Sequence, residues 1–197
     1  MSIEISQQEL TEIVERAQDG SLDDFHRLYE IFSKPIFNFT RRLIGSGVEA
    51  EDLTQDTFMK VHSELGKLRE PSQFKYWLYR IARNEVYQKL RRSKRTPEVS
   101  IDDEETEYYN FLPDDSDGQD PERHILSLEM QEIIDRTLAS LTPKYRDVFV
   151  LAVFHKMSYD DITKVVGRSL LSVKTDIYRA RLAMKEALNE YLKRKTT

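Results

Sequence analysis

Three stretches of this 197-residue chain place side chains where they could bind a polyanion or another protein. Between positions 75 and 95 aromatic rings alternate with cations. Lys75, Tyr76, Trp77, Arg80, Arg83 and Asn84 lead into Lys89, Arg91, Arg92 and Arg95. Unstacked bases lie on rings and phosphates on cations, so this composition suits melted nucleic acid. Trp77, Leu78 and Ile81 fit a buried helical stripe equally well, with Trp77 closer to core than to platform, and the run 91–95 also fits a solvated helix end. Nearer the C-terminus, Ser172, Lys174, Thr175, Tyr178, Arg179 and Arg181 share the outer side of a helix whose inner side is Leu170, Val173, Ile177 and Ala180. Such a helix can enter a major groove, with cations on phosphates and short polar groups on base edges. A helical hairpin with a solvated basic face fits the same pattern. The third stretch is acidic: Asp52, Gln55 and Asp56 fall on one helical face, with Leu53 and Phe58 beside them. It suits either a docking surface for a basic partner helix or a solvated face.

Helical periodicity dominates the elements that must position these groups. The spacing predicts helices over 6–17, 22–32, 35–44 (opened by Pro35), 50–65 and 73–93, then 122–140, 143–155, 159–166 and 169–192. The segment 159–192 reads as helix, short turn at Gly167, and long basic helix, with Ser158 and Ser169 as caps. Residues 96–121 have no sustained period, hold three prolines and are acidic, which predicts a tether. Its apolar interruption at 108–112 (Tyr108, Tyr109, Asn110, Phe111, Leu112) fits a patch that packs on a neighbouring domain. The expected architecture is all-α: two helical domains, 1–97 and 123–197, joined by an acidic flexible linker at 98–122.

The formal net charge of −5 hides a segregated distribution. Residues 1–66 carry 6 Lys/Arg against 13 Asp/Glu, 67–97 carry 10 against 2, and 98–122 carry none against 11. Residues 123–155 balance at 4 and 4, and 156–197 carry 10 against 5. Two basic blocks divided by an acidic one predict two polyanion-binding surfaces. The absence of cysteine excludes disulfides, thiolate metal sites and a cysteine nucleophile. The four histidines have no ligand spacing, and no histidine, nucleophile or glycine-rich loop accompanies Asp52 and Asp56, so neither metal, cofactor nor enzymatic activity is expected. The longest apolar run, 148–154, is too short to span a bilayer, and the start lacks the layout of a signal peptide, so the chain is expected to be cytoplasmic without membrane contact of its own.

Four strings, in this order, resemble the extracytoplasmic-function (ECF, group 4) bacterial RNA polymerase sigma factors. They are AEDLTQDTF at 50–58, FKYWLYRIARN at 74–84, LTPKYRDVF at 141–149, and Val173-Lys174 followed by Arg179-Ala180-Arg181. The resemblance implies a non-catalytic subunit that confers promoter specificity. Asp52, Leu53, Gln55, Asp56 and Phe58 would dock on the clamp helices of the largest subunit of core RNA polymerase. Lys75, Tyr76, Trp77, Arg80, Arg83, Asn84, Lys89, Arg91 and Arg92, with the loop 67–74, would open the minus-10 element and capture a flipped base. Ser172, Lys174, Thr175, Tyr178, Arg179 and Arg181 would read the minus-35 element near the polymerase flap region. The 25-residue tether reaches about 80 Å when extended, enough for two sites about 70 Å apart, and would thread the polymerase cleft. An anti-sigma factor is a further expected partner. Four residues depart from the family pattern: Leu171 and Ser172 replace Gly-Thr, Thr163 replaces a small residue, and Asp176 replaces a common basic residue. Asp176 must either point away from phosphate or accept from a cytosine amino group. A helical DNA-binding regulator acting without polymerase, and a pure interaction module, are the alternative readings.

Overall fold

The computed structural model describes residues 5–93 and 121–195, all of whose regular elements are helical. Nearly all of the expected tether, including the patch at 108–112, lies outside the described residues. The N-terminal unit comprises α1 (Gln7–Gln18), α2 (Leu22–Ile44), α3 (Gly47–Glu64) and α4 (Phe74–Ser93), with short 3-10 turns at Leu65–Lys67 and Pro71–Gln73. The C-terminal unit comprises α5 (Pro121–Ser140), α6 (Pro143–Val153), α7 (Tyr159–Val166) and α8 (Leu170–Lys195).

Serines start the helices. Ser6, Ser21, Ser46 and Ser158 each accept from the backbone N–H three residues on, which satisfies a donor that the first turn leaves without a partner. The residue three after each cap is acidic, and its charge suits the positive end of the helix dipole. One expectation fails here: α2 is continuous where a break at Pro35 is predicted. Leu28, Phe32, Ile36, Phe39 and Leu43 form one unbroken buried stripe through it. Pro35 costs roughly 3 kcal/mol in lost bonding and ring clash. Burying each large apolar side chain contributes roughly 1.5–3 kcal/mol, so a stripe of five outweighs it.

Helix α1 holds the loop that precedes the basic helix. The Gln18 amide donates to the carbonyls of Leu65 (2.9 Å) and Leu68 (2.7 Å), and Gln7 donates to that of Ser72 (2.9 Å). Helices α7 and α8 meet at Gly167, whose φ of 67° lies in the left-handed region. Ser169 then accepts from the Ser172 N–H (3.3 Å) and caps α8. The expected helix-turn-helix is therefore present, its two helices joined by the burial of Ile162, Val165, Val173 and Ile177.

The two units pack against each other, α4 on α7 and α2 on α5 and α6, so the buried side chains form one cluster. His155 sits in this seam. Its Nδ1 shares a hydrogen bond with the Tyr79 hydroxyl (2.9 Å), and its ring meets Phe39 edge-on at 5.6 Å. Arg42 lies over Phe154 at 3.6 Å, and the Arg146 guanidinium donates to the Leu43 carbonyl at 2.7 Å.

Two consequences are measurable. A Cβ at Gly167 would meet nothing within 4 Å, so Gly167→Ala carries only the backbone cost of the left-handed conformation. It should lower the unfolding free energy by about 1 kcal/mol in denaturant titration, with the helical circular dichroism unchanged. The His155 imidazole is pushed down to about 4 by burial, then by the charges of Arg42 and Lys75. The unfolded ring takes a proton near 6.5 and the folded ring only near 4, so stability is full above 6.5 and falls as pH falls between these values. The whole displacement corresponds to about 3 kcal/mol. Thermal melts of the native chain should therefore drop more steeply from pH 6.5 to 4 than those of His155→Phe, and equal slopes would exclude His155 as the cause.

Candidate nucleic-acid and protein interfaces

Helix α4 divides into three faces. Phe74, Leu78, Ile81, Ala82 and Val86 are buried and fix the helix on α2 and α3. Arg80, Asn84, Lys89, Arg91 and Arg92 are exposed, Lys89 lying 3.3 Å from Glu49. Trp77 is half-buried beside Phe74, with ring centroids 6.1 Å apart, so it straddles core and surface as its composition allows. Lys75 is also half-buried. The third face, Tyr76, Tyr79, Arg83 and Tyr87 at helical spacing, turns toward the C-terminal unit. Lys164 lies over the Tyr76 ring at 4.4 Å, and the Tyr76 hydroxyl is pushed up to about 12 by burial and by Asp161 beside it. The Tyr87 hydroxyl donates to the Pro143 carbonyl at 2.9 Å.

Arg83 donates from Nε to Asp147 Oδ2 at 2.5 Å. Asp147, at the start of α6, has 0 % exposure, and its other oxygen accepts from its neighbour's N–H at Val148 (2.8 Å) and from Arg168 (3.2 Å). Burial pushes the Asp147 carboxyl up and the two arginines pull it back. Arg168, just after Gly167, reaches on to Asp176 Oδ2 at 2.5 Å and to the Lys144 carbonyl at 3.1 Å. A chain of alternating charges thus runs from α4 through α6 and the helix-turn-helix to α8. No sequence pattern singled out Asp147 or Arg168. The one available signal was that Asp147 is the only carboxylate on a helix otherwise bearing apolar residues and cations.

Asp176 is 4 % exposed and ion-paired, so of the two orientations open to it, it takes the one facing away from α8's outer surface. That surface presents Lys174, Thr175, Tyr178, Arg179 and Arg181 to solvent, with Ser172 half-buried at its edge. The Arg179 guanidinium is steadied by the Tyr145 hydroxyl at 2.8 Å, and Thr175 donates back to the Leu171 carbonyl at 2.9 Å. Leu171, 76 % exposed, and Tyr178, 69 % exposed, lie two turns apart on the same surface.

On α3, Asp52, Gln55 and Asp56 are exposed on one face, as their spacing predicts. Leu53 and Phe58 are not part of it: at 4 % and 5 % exposure they are core, Phe58 meeting Tyr29 edge-on at 4.8 Å. Exposed Met59 instead adds an apolar group to the acidic face. Among the described residues no three His, Asp or Glu side chains are placed to hold a metal, and no helix is long and apolar enough to cross a membrane.

Comparison with known proteins matches these units one by one. Residues 28–96 match the model for sigma-70 region 2, and residues 131–184 that for sigma-70 region 4. The RNA polymerase sigma-H factor of Pseudomonas aeruginosa is 31% identical over 190 residues, covering 96% of this chain and 98% of the relative. The ECF RNA polymerase sigma factor SigW of Bacillus subtilis is 29% identical, covering 90% and 95%. Among solved structures, CnrH in complex with the cytosolic domain of CnrY aligns with a TM-score of 0.68 at 22% identity, over 92% of this chain and 97% of that one. The sigma factor RpoE in complex with the anti-sigma factor NepR from Bartonella quintana aligns at 0.64 and 24%, over 85% and 98%. With both sigma-70 regions present in order and a relative matched from end to end, the chain belongs to the extracytoplasmic-function class of RNA polymerase sigma factors.

Proposed function

We propose that this group 4 sigma factor, without catalysis of its own, binds core RNA polymerase and directs initiation by opening the minus-10 element and reading the minus-35 element. The domains are 1–97 and 123–197, with 98–122 threading the cleft between two DNA contacts. The observation that carries the reading is the separation of three exposed faces: acidic on α3, basic on α4 and basic on α8. A stand-alone regulator needs the last but has no use for the first two.

Each face suits a different surface. Asp52, Gln55, Asp56 and Met59 offer carboxylates, an amide and one thioether to the basic, partly apolar clamp helices. Arg80, Asn84, Lys89, Arg91 and Arg92 track the melted strand, with Lys75 and Trp77 at its edge. Base extrusion costs a few kcal/mol, and stacking contributes about 1–3 kcal/mol per base, so rings and cations together suffice. On α8, Lys174, Arg179 and Arg181 neutralise phosphates while Ser172, Thr175 and Tyr178 face base edges. Thr175 spends its hydroxyl on the backbone and so presents its methyl, next to Leu171. This surface is built to touch thymine methyls as well as polar edges. The likeness to RpoE crystallised with NepR supports an anti-sigma factor as a further partner.

Runoff transcription with purified bacterial core polymerase on a promoter library tests the reading. Initiation should require the protein and fall at least tenfold with Asp52→Ala plus Asp56→Ala, whose melting temperature should match the parent because both sites are exposed. No initiation and no co-elution with core would transfer the reading to a stand-alone regulator. On the promoter so found, replacing minus-35 thymines by deoxyuridine removes one methyl at a time. One such replacement should weaken duplex binding about fourfold, the value of one buried methyl, and Leu171→Ala should abolish that difference.

A further inference from the structure

The covered face of α4 contains Tyr76 and Arg83, two of the residues that the family resemblance assigns to melted DNA. Tyr76 lies under Lys164 and beside Asp161, and Arg83 is bound by Asp147. Tyr79 and Tyr87, on the same stripe, bond His155 and the Pro143 carbonyl. All of these partners belong to the C-terminal unit. A carboxylate 2.5 Å from the Arg83 Nε occupies the place a phosphate oxygen would take on that edge of the guanidinium, so phosphate must displace it to bind there.

We propose that the free protein masks itself: the C-terminal unit covers the minus-10 helix as an internal competitor for DNA, clasped by Arg83 and Asp147, and must swing away on its tether before the melted strand can engage Tyr76 and Arg83. The proposal rests on the assignment of α4 to DNA. The clasp is built to open. Breaking a buried ion pair ordinarily leaves an orphaned charge, which is what makes such pairs hard to part. Asp147 has a second arginine, Arg168, from its own unit, together with its own helix N–H, so it stays compensated after Arg83 leaves. Arg83 moves to water or to phosphate, being on a face that opening exposes. The remaining polar contacts across α4 are single hydrogen bonds and a cation over a ring, each of which water or nucleic acid replaces, while opening also parts the rings of Tyr79 and His155, 5.2 Å apart. The minus-35 surface of α8 stays exposed throughout, so duplex recognition and strand capture are masked unequally.

The absence of cysteine allows a clean test in the full chain. Fluorophores on Glu12→Cys and Glu186→Cys, both exposed and outside every proposed face, report the separation of the units by energy transfer. Saturating a dT20 single strand should lower the transfer. When the binding-competent form is the minor one, apparent affinity scales with its population. Asp147→Asn should therefore tighten dT20 binding at least tenfold by fluorescence anisotropy, and Tyr87→Phe, which removes one hydrogen bond, about fivefold. Should Asp147→Asn lose its circular dichroism, Tyr87→Phe carries the test alone. Transfer unchanged by saturating dT20, or affinity within twofold of the parent in every folded variant, overturns the masking. Neither readout contains polymerase, so failure of runoff transcription with these two intact would refute the proposed role in initiation and leave the clasp standing.

Discussion

Asp147 is a carboxylate removed from water, and the arrangement of the C-terminal unit follows from keeping that charge compensated. Its pull on Arg168 fixes the residue that follows the helix-turn-helix glycine. Arg168 in turn draws Asp176 inward, and Asp176 sets which side of α8 faces the core. The rotation of the recognition helix is thus pinned by a buried salt-bridge chain as well as by Val173, Ile177 and Ala180. Buried pairs contribute little net stability compared with apolar packing, but they tolerate few alternative geometries. Their use here is to fix an orientation.

The same logic explains how an acidic protein presents basic surfaces. Had Asp176 faced outward beside Lys174 and Arg179, it would have cancelled part of the attraction that α8 exerts on phosphate. Turned inward, its charge is spent on Arg168 and Lys144. On α3, by contrast, Glu51, Asp52 and Asp56 reach solvent and form a separate acidic face. A net charge of −5 therefore says little about partners, because it sums over faces that no single ligand meets.

Much of this was readable from the chain itself, for reasons that are local. Ser158, Gly167 and Ser169 mark the turn between α7 and α8 because capping and left-handed backbone are properties of single residues. Asp52, Gln55 and Asp56 share a face because helix geometry alone puts them there. What escaped depends on the third dimension. Leu53 and Phe58 look like part of a docking face because neighbours on a helix share a side, and only packing against α2 shows that they turn inward. Pro35 looked like a boundary because local bonding argues for one, and the long apolar stripe overrides it. The stripe of Tyr76, Tyr79, Arg83 and Tyr87 has a period, but its partners are more than fifty residues away in sequence, beyond any local pattern.

That long-range contact bears on how affinity and specificity are divided in the molecule. On the proposed function, strand capture would require leaving a contact that is already satisfied, so only the difference between phosphate and Asp147 as partners for Arg83 would contribute to binding. A surface with no internal competitor would bind any accessible single strand in proportion to charge. A surface that must first be uncovered binds weakly unless several contacts form at once; on the proposed function this would favour a strand presented in register by a polymerase holding α3. If α4 is masked while α8 stays open, as proposed, recognition acquires an order in which duplex contacts and polymerase docking precede melting. Discrimination against stray single strands would then come from the clasp that free DNA has to displace.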